Sequence, residues 1–207
     1  MTLVETEFKH RQVTLAVLAA PDLDSLLTPD TDAERLPYWA VVWDSASGLA
    51  RWMMDRRSWK GMDVLELGCG AGLAGLAAAA LGADVIQTDR FPEALALARR
   101  NAARNGHPRI RHAAADWRAW PFARTWPVVI GSDLTYDRAL HAPLLRVLEA
   151  SLSPGCSAYL ADPDRAMSLE FLVRAEDAGW RVKIETAPPP HLSGREEKPV
   201  SVYILQR

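Results

Sequence analysis

Residues 63–76 read D-V-L-E-L-G-C-G-A-G-L-A-G-L, an apolar run that breaks into glycines and resumes as a helical pattern. A strand that turns through glycine into a helix lets backbone lie against a nucleotide-like ligand, because no Cβ stands in the way. Two registers compete for the turn. Gly70-Ala71-Gly72-Leu73-Ala74-Gly75 has the G-x-G-x-x-G spacing that grips a dinucleotide pyrophosphate at a helix N-terminus. That motif wants its first glycine at the strand end, yet the strand Val64–Leu67 already closes at Gly68. A count from Gly68 puts Leu73 where the third glycine or alanine belongs. The other register is Glu66-x-Gly68-x-Gly70-x-Gly72. Further acids end later strand patterns. Asp89 can accept hydrogen bonds from ribose hydroxyls, or cap the helix that begins near Pro92. Asp116-Trp117 pairs an acid with a flat ring, and Asp133 and Tyr136 follow the run V-V-I-G-S. The C-terminal ends of strands are where open α/β sheets place their sites.

The series Glu66, Gly68, Gly70, Gly72 resembles motif I of the class I S-adenosylmethionine-dependent methyltransferases. That ligand suits the turn. It carries no phosphate, its methionyl part passes close over backbone, and a carboxylate such as Glu66 suits its ammonium and sulfonium. In such enzymes an acid in the position of Asp116 bonds the adenine amino group and an aromatic neighbour covers the ring. Two more stretches narrow the resemblance: L-P-Y-W-A-V-V-W-D-S-A at residues 36–46 and V-V-I-G-S-D-L-T-Y-D at residues 128–137. With motif I they are similar to the family 16 group of seven-β-strand methyltransferases, whose known members mostly methylate lysine in particular proteins. The resemblance covers roughly residues 36–136. It implies that Trp43 contacts the cofactor and that Gly68, Cys69 and Gly70 line its methionyl part. Asp89 would hold the ribose, Trp117 would sit on the adenine, and Ser132 would close the site with its backbone. Asp133 and Tyr136 would face the acceptor. Ala161-Asp162-Pro163-Asp164-Arg165 resembles a G-D-P-G-R segment of the branch that modifies the electron transfer flavoprotein β-subunit, with Asp164 in place of the second glycine.

The implied reaction is methyl transfer to a lysine nitrogen of a protein substrate, with S-adenosyl-L-methionine as cofactor and S-adenosyl-L-homocysteine as product. A lysine amine has a pKa of about 10.4 and must shed a proton before it attacks; a partly apolar channel favours the neutral form. Tyr38 and Trp39 are candidate channel walls. Asp133 could orient the incoming ammonium, and Tyr136 could bond or stack on it. The structural alternatives are an Asp133 that only ends a strand and a Tyr136 packed under the next helix. A small-molecule N-methyltransferase would use the same cofactor site. Base-modifying methyltransferases often carry N-P-P-Y or D-P-P-Y after the fourth strand, and S-D-L-T-Y keeps only the acid and the aromatic. A non-catalytic S-adenosylmethionine-binding protein would have no use for the Asp133…Tyr136 pair. A nicotinamide dehydrogenase has the wrong glycine register.

These residues need a scaffold that repeats strand, turn and helix. Strand patterns run over Asp63–Leu67, Asp84–Thr88, Arg109–Ala113, Pro127–Ser132, Ser157–Ala161, Arg181–Glu185 and Val200–Leu205. Helical patterns run over Gly72–Leu81, Pro92–Asn105, Arg138–Leu152 and Ala166–Ala178, with Pro92 in a first turn and Asn105-Gly106 and Ser153-Pro154-Gly155 as stops. The alternation predicts an α/β fold: a Rossmann-like, doubly wound, seven-stranded sheet, mostly parallel. The last two strands have only a loop between them, so they pair antiparallel or do not pair directly, and a sheet closed by one antiparallel C-terminal hairpin is the economical reading. The loop Pro188–Pro199 is expected to shape acceptor choice. Residues 1–60 form a small N-terminal extension over the cofactor site, with a strand or hairpin at Phe8–Leu18, a short helix at Asp22–Leu27 and a helix at Ser45–Arg57. Residues 61–207 are the methyltransferase domain.

Composition narrows the partners. The formal net charge is −2 over 207 residues, which speaks against general nucleic-acid binding. Arg99, Arg100, Arg104, Arg109 and Arg111 read as a solvated face. No apolar run approaches the ~20 residues of a membrane span, and the charged N-terminus is no signal peptide, so a cytoplasmic monomer is expected. Cys69 and Cys156 have no metal or disulfide spacing, and Cys69 reads as a small residue in the turn. Histidines 10, 107, 112, 141 and 191 have no ligand spacing, so no metal is assigned; Asp162 and Asp164 read as a turn around Pro163 rather than cation ligands. Eight tryptophans is a high count and suits pocket walls as well as core.

Overall fold

The computed structural model describes residues 1–27, 36–56, 59–188 and 199–207. Residues 189–198, most of the loop expected to shape acceptor choice, lie outside them, as do His191 and Arg57. The chain opens with an antiparallel hairpin, β1 (Val4–His10) and β2 (Val13–Ala19), turned by Arg11 at φ 52°. The expected helix at Asp22–Leu27 is a single 3₁₀ turn, Asp24–Leu26. A second such turn, Tyr38–Ala40, leads into α1 (Asp44–Met54).

The alternating part follows as β3 (Asp63–Leu67), α2 (Leu73–Ala80), β4 (Asp84–Asp89), α3 (Pro92–Arg104), β5 (Arg111–Ala114), β6 (Trp126–Ser132), α4 (Arg138–Ser151), β7 (Leu152–Asp162), α5 (Ala166–Asp177), β8 (Arg181–Ala187) and β9 (Val200–Gln206). Val64, Leu65 and Leu67 are fully enclosed, as a strand covered on both faces requires, and β3 lies inside the sheet. The seven strands stand in the order β5-β4-β3-β6-β7-β9-β8. All neighbours are parallel except β9, which runs antiparallel to both β7 and β8. The expected fold is therefore present, and the last strand slots between its two predecessors.

The two faces bury different helices. Val64, Val128 and Ile130 pack with Leu49 and Met53 of α1, Leu73 and Leu76 of α2, and Leu97 of α3. Leu65, Leu67 and Val129 pack with Leu144 and Leu148 of α4 and Phe171 of α5. Helix α1 thus joins the sandwich itself; a Cβ on its Gly48 would stand 3.0 Å from Val200 of β9. One boundary differs from expectation. Ser153-Pro154-Gly155 does not stop a helix short of the next strand but forms the irregular start of β7, opposite a register shift between Trp126 and Val128. Proline is tolerated where a strand begins irregularly, since its missing N–H interrupts no ladder.

The hairpin is fastened by two asparagines one turn apart, Asn101 on α3 and Asn105 at its C-cap. Asn105 Oδ1 accepts from Ala16 N (2.8 Å) and its Nδ2 donates to Ala16 O (2.7 Å). Asn101 does the same for Leu18, at 2.9 and 3.0 Å, and its Nδ2 also reaches Ala71 O at 2.8 Å. Residues i and i+4 of a helix match i and i+2 of a strand in rise, so two side-chain amides complete the edge of β2 as a neighbouring strand would. Asn101→Ala is expected to lower the unfolding free energy by about 3 kcal/mol, because it leaves three buried backbone groups short of a partner. Asn105→Ala, at a half-buried position, should lower it less; urea denaturation of both variants reads the difference.

Candidate active site

Strand β3 ends at a turn whose three glycines, Gly68, Gly70 and Gly72, all have positive φ: +61°, +50° and +86°. At Gly70 a side chain would be strained and would stand 3.0 Å from the carbonyl oxygen of Trp39. The turn is bound from several sides. Cys69 N donates to Thr88 O (2.9 Å) and Gly72 N to Cys69 O (2.7 Å). Gly70 N donates to Asp89 Oδ2 at 3.0 Å. Gln87 Nε2 donates to Gly72 O at 2.9 Å. Three N–H groups that a pyrophosphate would need are therefore already committed within the protein, one of them to a carboxylate.

Asp89 ends β4 and is 8% exposed. Its Oδ1 accepts from Phe91 N at 3.0 Å, so it braces the start of α3 as well as the turn. Burial raises its pKa, against the pull of the Phe91, Gly70 and Arg90 N–H groups and the Arg90 charge. Three N–H groups on four lone-pair positions leave room for a hydroxyl donor. Glu66 sits differently from expectation. It is 1% exposed, under α2, where a Cβ on Gly75 would come within 2.3 Å of its Oε2. Gln87 Nε2 donates to that oxygen at 2.7 Å. Glu66 is thus sealed beneath the turn and acts on it through Gln87, and Gly75 serves this close approach rather than a phosphate. Burial pushes the Glu66 carboxyl up to about 8. Burial also pushes the Cys69 thiol well up, which fits its reading as a small residue.

The other expected site residues fall on both sides of the turn. Trp117 lies half-buried above Gly68, its ring carbon Cζ2 3.6 Å from where a Cβ would stand. Asp116 beside it is exposed and its Oδ1 accepts from Arg118 N at 2.8 Å. Trp43 caps α1 and its Nε1 donates to Tyr38 O at 3.0 Å. It is the backbone of Trp39, from the same segment, that lies against Gly70. Tyr38 is exposed. Trp117 and the Trp39 backbone thus lie against the turn at the crevice between β3 and β6, where the strand order reverses and open sheets bind ligands.

Across that crevice, β6 ends at Ser132 and the next residue, Asp133, adopts φ 59°. Asp133 N donates to Ala161 O at 2.8 Å. Leu134 is buried against Gly68, and Thr135 is buried with its carbonyl 2.9 Å from His141 Nε2. That leaves the Asp133 side chain in the crevice and Tyr136 56% exposed at its lip. Arg165, the last residue of the A-D-P-D-R segment, grips both Asp133 oxygens; Nη2 lies 3.2 Å from Oδ2, and Nη1 pairs with Oδ1. Its Nη1 also reaches Asp162 Oδ2 at 3.2 Å. Asp162 accepts Arg165 N at 3.0 Å and Thr135 Oγ1 at 3.1 Å. Asp164 accepts from Ser201 Oγ (2.8 Å) and Tyr203 OH (3.0 Å), so Asp162 holds the turn around Pro163 and Asp164 ties it to β9.

Gln87 and Asn101 are not among the site residues expected from the sequence, and Asp162 and Arg165 enter there only through the segment at residues 161–165. Their signals were a polar residue inside an apolar strand (Gln87), one on the apolar face of a helix (Asn101), and the segment at residues 161–165. Among the described residues no cluster of three or more histidine, cysteine or acidic side chains is placed to hold a metal. A cavity of about 910 Å³ lies at the other end of the strands, between Trp52, Trp59 and Tyr159, away from the residues above.

Comparison with known proteins settles the family. The sequence model described as lysine methyltransferase matches residues 32–176. The chain belongs to the lysine methyltransferase family. Protein N-lysine methyltransferase METTL21A of Danio rerio is 36% identical over 154 residues, 70% of this chain and 66% of that protein. The electron transfer flavoprotein beta subunit lysine methyltransferase of Xenopus laevis is 31% identical over 170 residues, 76% of this chain and 69% of that protein. This chain therefore spans somewhat less than two thirds of the zebrafish relative's length. Among solved structures, the ribosomal protein L11 methylase of Lactobacillus delbrueckii shares the fold at a TM-score of 0.62 and 20% identity, over 79% of this chain and 78% of that one.

In this family member the buried Glu66 makes a pH signature. Its folded pKa of about 8 lies above the usual 4.5, so the folded state keeps a proton that the unfolded state releases. That contribution to stability is complete below the ordinary carboxylate range and is lost as pH rises toward 8. Glu66→Gln should flatten the pH dependence of unfolding free energy across that window. Urea titrations from acid to mildly alkaline pH, compared with the parent chain, measure it.

Proposed function

We propose that the protein transfers a methyl group from S-adenosyl-L-methionine to the side-chain nitrogen of a lysine in a protein substrate. The observation that carries the cofactor is the commitment of the Cys69, Gly70 and Gly72 N–H groups to Thr88, Asp89 and Cys69. A turn so spent, with a carboxylate against it, suits a phosphate-free cationic nucleoside and disfavours a pyrophosphate. When bound, S-adenosylmethionine supplies the methyl on its sulfonium and leaves as S-adenosylhomocysteine. The open backbone of Gly68, Cys69 and Gly70 takes its methionyl part, Asp89 accepts its ribose hydroxyls, and Trp117 covers its adenine, with Asp116 at the ring's edge. Trp43 and Trp39 close it from the N-terminal extension, residues 1–60, and Ser132 from the end of β6.

Asp133 receives the acceptor ammonium, which an exposed Tyr136 ring stacks on or bonds. An amine with a pKa of about 10.4 must lose a proton to expose its lone pair, and the apolar walls of Tyr38 and Trp39 favour that loss. The proton leaves to water. Nitrogen then displaces sulfur at the methyl carbon in line, so positioning of the two partners is the chief contribution. Family membership supports lysine as the acceptor group, and the relatives named above support a protein as its carrier. A cytoplasmic monomer fits two unpaired cysteines and the absence, among the described residues, of a helix long and apolar enough to cross a membrane.

The test is labelling of a whole-cell protein extract with methyl-labelled S-adenosylmethionine, followed by hydrolysis and amino-acid analysis. Methyl-lysine in a protein is the expected product. Asp133→Asn should lower it by roughly a hundredfold, the size expected for loss of one charged partner at the reacting centre, with S-adenosylhomocysteine binding unchanged. Label only in small molecules would establish the small-molecule reading instead. Intact cofactor binding without any labelled product would contradict catalysis.

A further inference from the structure

The acid assigned to the acceptor is not free in the structure. Asp133 is already held at both oxygens by a guanidinium, and its side chain is only 9% exposed. Charged groups reach it from every element packed around it: Arg165 from the start of α5, Asp162 from the end of β7, and Asp44 from the start of α1. On its own turn stand Tyr136 and Asp137, and Arg90 and Asp89 from the β4–α3 junction act on Tyr136 beside it. Burial, with two further acids near it, raises the Asp133 pKa, and the Arg165 hydrogen bonds and charge oppose that rise. Arg165 is the one cation described in direct contact with it.

Arg165 is itself tethered. Asp162, 1% exposed, binds its backbone N–H and its Nη1, and Thr135 Oγ1 and Ser168 Oγ, 2.8 Å apart, complete the base beneath. A hydroxyl has one hydrogen, and Thr135 gives its hydrogen to the Asp162 carboxylate, the stronger acceptor. A guanidinium held at its root and spread across two oxygens fixes the plane of the Asp133 carboxylate. Those contacts take one lone pair of each oxygen and leave the other.

We propose that Arg165 is a positioning residue for methyl transfer: it keeps the Asp133 carboxylate charged and fixed in plane at the end of β6, ready to receive a cationic amine. Two acids sharing one arginine leave a net charge of −1, which the arriving ammonium cancels. The proposal rests on the reading of Asp133 as the acceptor-facing acid. It adds a requirement: the acceptor amine does not displace Arg165 but adds to it.

Carbon-detected NMR of the Asp133 carboxyl, assigned with Asp133→Asn, reads the titration directly in the full-length chain with S-adenosylhomocysteine bound. In Arg165→Gln the midpoint should rise by about one pH unit or more, with transfer to the labelled protein acceptor at neutral pH down about tenfold. Binding of S-adenosylhomocysteine, measured by calorimetry, should stay at the parental level. Arg165→Lys keeps the charge without the two-point grip, so it should return the midpoint toward the parent while transfer stays reduced severalfold. A parental midpoint in a cofactor-binding Arg165→Gln chain overturns the proposal, as does parental transfer in Arg165→Lys. Should the glutamine variant fail to bind S-adenosylhomocysteine, the lysine variant decides alone. If the parent labels no protein, the proposed function has failed, yet the carboxyl titration still reads whether Arg165 holds Asp133 charged.

Discussion

The turn between β3 and α2 is the constraint on which the rest of the molecule depends. Three glycines in the left-handed region bring backbone without a Cβ of its own to the end of the sheet. Such a turn has no rigidity of its own, and neighbours supply it: Asp89 on Gly70 N, Gln87 on Gly72 O, Asn101 on Ala71 O. Each of those side chains holds a second element as well. Asp89 braces α3, Gln87 meets Glu66 under α2, and Asn101 fastens the N-terminal hairpin. The geometry of a ligand at this turn is therefore linked to the packing of the hairpin and both following helices.

The opposite wall of the crevice is built by the same means. Asp133 takes a left-handed φ that only a well-supported backbone sustains, and its support comes from Ala161, Thr135, His141 and the Arg165–Asp162 pair. Leu134 closes the space between the walls by packing over Gly68, where a Cβ would stand 2.7 Å from its Cδ2. The two halves of the site are thus joined by the parallel pairing of β3 with β6 and, at its mouth, by this apolar contact at a glycine.

Much of this was legible in the sequence because it rests on local rules. Glycine at alternate positions marks a turn with positive φ, and an apolar run such as Val64–Leu67 marks a buried parallel strand. The acids at strand ends, Asp89 and Asp133, could be placed from the strand pattern alone. The remainder depends on which elements meet. Glu66 belongs to the glycine motif by spacing, but only the arrival of α2 over β3 shows that its carboxyl is sealed in. Gln87, Asn101 and Arg165 act across 15, 30 and 32 residues of chain, and no local pattern carries such pairings. The position of β9 between β7 and β8 was open for a similar reason: a loop fixes antiparallel direction but not the side of the sheet. Ser153-Pro154-Gly155 misled because the residues that end a helix also suit an irregular strand start.

The central claim is that this turn holds a phosphate-free cationic nucleoside. Isothermal titration with S-adenosylhomocysteine, with NAD titrated alongside, tests it most directly. The account predicts micromolar binding of the first, weakened in Asp89→Ala, and no heat from the second. NAD binding, or parental behaviour of Asp89→Ala toward S-adenosylhomocysteine, would contradict it.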